Sequence, residues 1–192
     1  SKITFVGVSS GGTLGMFLAA KRPDLVERLI LSNTPADPVT TGHMTYTADF
    51  ADAQREAKET GFQSQHFWNA FLDFFSGDPR RLDAGIREQY YDVNRRAPEK
   101  NYLAFVARVA DHEKALATMN AVTAPTLLVW GARDPLLIPS SADALAGYLA
   151  HAQISKIMLP DVGHYPPLEV PQRFAQIVAA YIEDATPLAS VH

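Results

Sequence analysis

The stretch Ile3-Thr4-Phe5-Val6-Gly7-Val8-Ser9-Ser10-Gly11-Gly12 constrains this chain more than any other. An apolar run rich in β-formers stops at Gly7-x-Ser9-x-Gly11, and a helical pattern (Thr13, Leu14, Met16, Phe17, Leu18, Ala19) begins at once. The reading is strand, sharp turn, helix. Such a turn sets Ser9 on a strained corner with its hydroxyl projecting outward. Gly7 and Gly11 are expected because strand and helix press together there with no room for a Cβ. Ser9 also lies at a helix N-terminus, where unpaired N–H groups and the helix dipole favour developing negative charge. That makes Ser9 a candidate nucleophile and the backbone N–H of Ser10 a candidate oxyanion donor. A chemically silent Gly-Ser turn would carry the same letters, so the motif needs partners elsewhere in the chain.

Taken in order, Lys2–Val8 reads as a buried strand and Gly11–Lys21 as a helix that stops before Pro23. Val26–Ser32 is the next strand. Strand, helix, strand in about 30 residues is a βαβ unit, which predicts two parallel neighbouring strands. From Asn33 to about Ala121 no further strand pattern appears. Asn33–Gly42 is loop-like. Ala48–Thr60, the aromatic-rich Gln65–Phe75, Arg80–Arg95 and Lys100–Ala117 read as helices, with Gly77-Asp78-Pro79 as a break. Thr126–Gly131 returns to a buried strand. A helix over Ser140–Leu149 with Ser140 as N-cap, a strand over Gln153–Leu159 and an amphipathic helix over Pro171–Asp184 follow, and Thr186–His192 reads as a tail. The expected organisation is a core over 1–34, a helical cap or lid insertion over 35–121, and core again over 122–192. The aromatic stripe of the insertion fits helix–helix packing. It also fits a lid over an apolar cavity, in which Trp68 and Phe71 are the candidate substrate-binding residues.

Two more chemical groups stand where a strand gives way to a loop. Asp134 follows Trp130-Gly131-Ala132-Arg133, and His164 follows Leu159-Pro160-Asp161-Val162-Gly163. Sites in open parallel sheets collect beyond the carboxyl ends of the strands, where Ser9 lies too. A serine, an aspartate and a histidine meeting there form an acyl-transfer triad: Ser9 attacks, His164 moves the proton, Asp134 orients the imidazole. Singly, Asp134 before Pro135 is an ordinary turn former and His164 an ordinary loop histidine. Asp161, the competing acid, lies on the wrong side of its loop.

The totals remove other classes. Of the 192 residues 47% are apolar, enough for one compact domain. The formal net charge is −4, without the Lys/Arg clusters of a nucleic-acid surface. There are no cysteines, so thiolate nucleophiles and Cys-based zinc sites are out, and a cytoplasmic location is the expectation. No apolar run reaches the roughly 18 residues of a membrane span, so no membrane partner is expected. No histidine pair has metal-ligand spacing beside a carboxylate, so neither metal nor cofactor is implied.

These pieces resemble the α/β-hydrolase superfamily. The resemblance rests on Phe5–Gly12, on Leu31-Ser32-Asn33-Thr34, on Pro125–Asp134 and on Gly163-His164-Tyr165-Pro166-Pro167-Leu168-Glu169-Val170-Pro171. It covers the chain outside the insertion, and the order Ser…Asp…His is the one expected of that family. The first 40 residues are most similar to enol-lactone hydrolases and small carboxylesterases. The resemblance implies an α/β-hydrolase fold, here the C-terminal portion of a mostly parallel sheet (its strands 5 to 8) with an inserted helical cap. It implies a serine hydrolase acting on a carboxylic ester or lactone through an acyl-enzyme, with no cofactor. A serine at position 9 argues against the related dehalogenases and epoxide hydrolases, which carry aspartate there. A C–C bond hydrolase uses the same triad. A cofactor-free oxygenase and a slow-turnover ligand receptor share the scaffold. In the family, further strands and a second oxyanion donor precede the nucleophile strand. The expectation is therefore a complementary N-terminal polypeptide that pairs with the Lys2–Val8 edge and completes the oxyanion hole.

Overall fold

The computed structural model describes residues 2–35, 42–96, 100–109 and 111–183. Its centre is a parallel sheet of four strands, β1 (Ile3–Val8), β2 (Val26–Ser32), β3 (Thr126–Gly131) and β4 (Ile154–Leu159), hydrogen-bonded in that order. The register Val6↔Ile30 and Ile30↔Leu127 carries the pairing straight across, and Leu127 pairs with Ser155. All four strands run the same way, so their carboxyl ends share one edge.

β3 is buried along its whole length, as its unbroken apolar run requires of a strand covered on both faces. Alternation sorts its neighbours. Leu29, Leu31, Leu128 and Trp130 pack on one face with Met16 and Ala19 of α1 (Ser10–Lys21), Met119 of α6 (His112–Asn120), and Ala142 and Leu145 of α7 (Pro139–Tyr148). Ile30, Leu127, Val129 and Leu159 pack on the other with Phe174 of α9 (Pro171–Glu183). The result is helix, sheet, helix around one sheet.

Between β2 and β3 run α2 (Ala48–Thr60), α3 (Gln65–Phe75), a 3₁₀ turn (Pro79–Arg81), α4 (Ala84–Asn94), α5 (Lys100–Val109) and α6. No strand lies among the described residues of this segment. Thr47 and Ser64 cap α2 and α3, accepting from the N–H groups of Phe50 and Phe67. Phe50, Phe67, Ala70 and Phe75 form a core of their own there, with Trp68, Phe71 and Phe74 packed on it. α6 instead sits against α1 on the sheet.

Several boundaries differ from the sequence reading. The helix expected over Arg80–Arg95 begins only at Ala84, because the Asp83 carboxylate caps it and Pro79–Arg81 is a separate 3₁₀ turn. The helix expected over Lys100–Ala117 is two helices. The Asp111 carboxylate accepts from Lys114 N–H and starts α6 afresh. Ser140 is not an N-cap: α7 starts one residue earlier with Pro139 as its first residue, a position where the missing N–H costs nothing. The turn of helix α8 (Pro166–Glu169) was not anticipated. The Thr186–His192 tail and most of the Asn33–Gly42 loop lie outside the described residues.

Candidate active site

Ser9 has φ 51° and ψ −128°, a backbone region that non-glycine residues rarely adopt. The surroundings hold it there. Its N–H donates to Ser32 O (3.0 Å), continuing the β1–β2 pairing one step past the strand, while its carbonyl accepts from Gly12 and Thr13 at the start of α1. A serine at a helix start ordinarily caps the helix with its hydroxyl. Here it makes no such bond, so Oγ is not consumed by the fold. Ser10 is the first residue of α1, and its N–H has no acceptor within the helix.

The glycines of the turn differ in how tightly they are held. A Cβ on Gly7 would lie 2.5 Å from Gly11 O, so the strand does press on the turn. A Cβ on Gly11 would meet nothing within 4 Å. Gly12 is the tight one, packed on the side chain of Thr34 two residues past β2. On the helix side of the turn the crowded glycine is thus the one facing the loop after β2, one position beyond the motif.

Asp134 and His164 meet. His164 Nδ1 lies 2.5 Å from Asp134 Oδ2, and the two side chains are 4% and 0% exposed. A carboxylate only accepts, so Nδ1–H is the donor and Nε2 remains the basic nitrogen. Asp134 is itself fixed. Its Oδ2 accepts from Asn33 Nδ2 (2.8 Å) and its Oδ1 from Leu136 N–H (2.9 Å). Asn33 also pairs with Gly131 in both directions, donating to its carbonyl and accepting from its N–H. Asn33 is fully buried with φ 37°, the second strained non-glycine residue of the described chain. Ser9, Asn33, Asp134 and His164 follow β1, β2, β3 and β4 in turn, along one edge. No hydrogen bond joins Ser9 Oγ to His164; such bonds are often long before substrate arrives.

Asp161 is occupied elsewhere, paired with Arg81 (2.7 Å) and Arg173 (3.0 Å). The rings against His164 are Phe75 and Tyr165, with centroids 5.4 and 4.7 Å away. Phe71 stands one ring further out, 6.2 Å from Tyr165, and Trp68 beyond it, 5.3 Å from Phe71. Tyr90 donates to the Tyr165 hydroxyl (3.1 Å), and burial pushes its phenol pKa up. The indole N–H of Trp68 is buried without a partner among the described residues. Sequence reasoning missed Asn33, Phe75 and Tyr165. The last two had a readable position, at the end of the aromatic helix and next to His164. Among the described residues no group of three or more His, Asp or Glu is placed to hold a metal ion. Among the described residues no helix is long and apolar enough to cross a membrane.

Comparison with known proteins bears on the fold that carries this geometry. The family model of the alpha/beta hydrolase fold matches residues 1–171. A 2-hydroxymuconate semialdehyde hydrolase of Pseudomonas sp. strain CF600 is 25% identical over 94% of this chain and 62% of the relative. Lipase 3 of Moraxella sp. strain TA144 is 26% identical over 85% of this chain and 50% of the relative. The match therefore spans between half and two thirds of the length of these two relatives. Among solved structures, the enol-lactonase from Burkholderia xenovorans LB400 superposes with a TM-score of 0.67 at 21% identity, covering 95% of this chain and 66% of that one. A thermophilic esterase from Thermogutta terrifontis gives 0.63 at 23% identity, covering 95% and 65%. A parallel sheet with a strained serine after β1 and an aspartate–histidine pair after β3 and β4 thus coincides with a model spanning most of the chain, and the protein belongs to the alpha/beta hydrolase fold family.

Proposed function

We propose that this hydrolase acts through Ser9, His164 and Asp134 on a carboxylic ester or lactone, by way of an acyl-enzyme. The observation that carries the reading is the buried Nδ1–Oδ2 contact between His164 and Asp134, on the sheet edge that also presents Ser9. Ser9 Oγ bonds to the substrate carbonyl carbon as its proton passes to His164 Nε2. Asp134 stabilises the resulting imidazolium. The oxyanion faces the N–H of Ser10 at the head of α1. Collapse breaks the bond to the leaving oxygen, which takes the proton from Nε2. Water then repeats the sequence and frees Ser9.

The helices between β2 and β3 act as a cap in this reading, and the aromatic wall that they build with Tyr165 next to His164 favours an apolar acyl or leaving group. Phe75 and Tyr165 form the near part of that wall, Trp68 and Phe71 the far part. A second reading, cleavage of a C–C bond by the same triad, draws on the 2-hydroxymuconate semialdehyde hydrolase relatives, which match nearly the whole chain. Hydrolysis of aryl esters and lactones set against vinylogous diketones separates the two.

β1 has one strand neighbour among the described residues, and its Ile3 and Val6 are 39% and 43% exposed. We propose that this edge takes a further strand from a complementary polypeptide segment, which brings the second oxyanion donor. Without that donor turnover falls by about 10²–10³. The decisive experiment is intact mass after treatment with a fluorophosphonate. A single adduct, absent in Ser9→Ala, is the expected result. Equal labelling of wild type and Ser9→Ala would overturn the assignment.

A further inference from the structure

Glu169 is a buried carboxylate that the triad does not use. It ends α8, and its side chain is 0% exposed. It is not idle. Oε1 accepts from Gly163 N–H (2.8 Å), while Oε2 accepts from the N–H groups of Gly77 (2.9 Å) and Asp78 (3.4 Å). Arg81 Nη1 stands 3.8 Å from Oε2. One carboxylate thus holds two loops: the one that carries His164, and the one that leaves α3.

The two loops lie backbone on backbone. A Cβ on Gly77 would come within 2.6 Å of Asp161 O and 2.8 Å of Gly163 N, and one on Gly163 would come within 2.5 Å of Gly77 N. The contact is stitched on either side of Glu169. His164 N–H donates to Phe75 O (2.8 Å), Arg81 donates to the Asp161 carbonyl (2.9 Å) and carboxylate, and Arg133, the neighbour of Asp134, donates to Gly77 O (3.1 Å). The segment 75–81 is therefore latched to both the acid loop and the base loop.

We infer that Glu169 is the positioning residue of His164: it clips the 161–164 loop to the end of α3 and so fixes where the imidazole stands between Asp134 and Ser9. The inference deepens the role proposed above for His164 and rests on it. The two oxygens are used separately, one per loop. An amide offers one acceptor oxygen, and its NH₂ would face backbone N–H groups on the other side. Glutamine in this place can hold one loop or the other. The small displacement that follows acts on the geometry of proton transfer, where about 1 Å of error can cost about 10²-fold.

The test is Glu169→Gln in the intact protein, read by the far-downfield proton resonance of His164 Nδ1–H, with Asp161→Asn as the companion. Asp161→Asn weakens the Arg81 pairing and leaves all three N–H groups on Glu169. The expected result is a shifted or lost Nδ1–H resonance in Glu169→Gln at retained cooperative melting, and an unshifted one in Asp161→Asn. Where turnover is measured, kcat falls by up to about 10²-fold with KM little changed. An unshifted resonance in folded Glu169→Gln overturns the proposal. So does an equal shift in Asp161→Asn. Should Glu169→Gln fail to fold, amide exchange of the wild-type protein decides. Gly163 and Gly77 exchanging at a common rate supports the clip, and rates differing by more than about tenfold overturn it. The resonance and the exchange rates do not depend on turnover. A failure of the hydrolase reading would show as absent Ser9 labelling with the clip intact.

Discussion

The carboxyl edge of the sheet and the helices between β2 and β3 hold themselves together in different ways. At the edge, Asn33, Asp134, His164 and Glu169 are polar, buried and hydrogen-bonded to one another or to backbone. In the inserted helices the interior is aromatic. Phe50 touches Phe67, Phe71, Phe74 and Phe75 with ring centroids 5.2 to 6.3 Å apart, while ion pairs such as Arg55–Asp52 and Arg95–Asp92 stay in solvent. Directional bonds among buried groups specify one geometry and penalise any loss of a partner. Ring packing tolerates rearrangement of similar volume. The first region holds the His164–Asp134 pair in one geometry, as the triad proposed above requires, and the second offers the adaptable apolar shape that the proposed cap requires.

The largest effect comes from breaking the edge without disturbing the aromatic helices. Asp134→Asn keeps the size of the side chain. Its amide oxygen cannot accept from His164, Asn33 and Leu136 as two carboxylate oxygens do. Fluorophosphonate labelling of Ser9 should slow by about 10⁴, the scale of removing the orienting carboxylate of a triad, while the melting curve stays cooperative. Labelling within tenfold of wild type would mean that the 2.5 Å contact does not serve the reaction.

Phe50→Ala attacks the other region. Phe50 is 2% exposed at the centre of the ring cluster, and its loss should cost about 3–5 kcal/mol locally. Amides of α2 and α3 should exchange faster while β2 and β3 keep their protection, because Ile30, Leu127 and Val129 belong to a separate cluster. If protection falls equally in β2 and β3, the two regions are one cooperative unit and do not hold themselves together separately.

Asn33→Ala sharpens the contrast within the edge. It removes the bond to Asp134 Oδ2 and both bonds to Gly131, at a cost of about 1–3 kcal/mol for buried groups left without partners. Asn33→Gly loses the same bonds but relaxes the backbone at φ 37°. It should therefore melt higher than Asn33→Ala, by differential calorimetry, with labelling equally slowed in both. Equal melting would show that the backbone there carries no strain.

The same contrast explains what could be read in advance. Strands β2 and β3, helices α2 and α3, and the triad candidates announce themselves locally, through an apolar run, a capping serine or threonine, or a residue just past a strand end. Asn33 and Glu169 do not. Asn33 acts on Gly131 and Asp134, 98 and 101 residues away, and Glu169 on Gly77, 92 residues away. Either would pass for a loop asparagine or a helix-end glutamate until the fold brings those backbones together. Gly12 is similar, since its constraint is Thr34, two residues past β2, rather than its own turn. Local pattern located the triad candidates, and the buried bonds that hold Asp134 and His164 in place became visible only with tertiary structure.

The smallest effect belongs to the surface of the inserted helices, and it turns on pH. His66 on α3 faces Asp49 (3.0 Å) and Glu56 (3.4 Å) on α2, and these bonds hold its pKa above the usual histidine value of 6.5. A raised folded-state pKa means that the folded form binds the proton more tightly. The stabilisation is thus complete below about pH 6.5, the unfolded value, and is lost as pH rises through the folded one. With about half the imidazole in solvent, the whole contribution stays below about 1 kcal/mol. His66→Gln should melt below wild type at about pH 5.5 and match it at about pH 9, where the imidazole is neutral in both folded and unfolded chains. The difference should shrink with added salt, as exposed pairs do. A pH-independent difference would mean that the imidazole contributes by packing on α2, which would place this corner with the aromatic interior rather than with the solvated ion pairs around it.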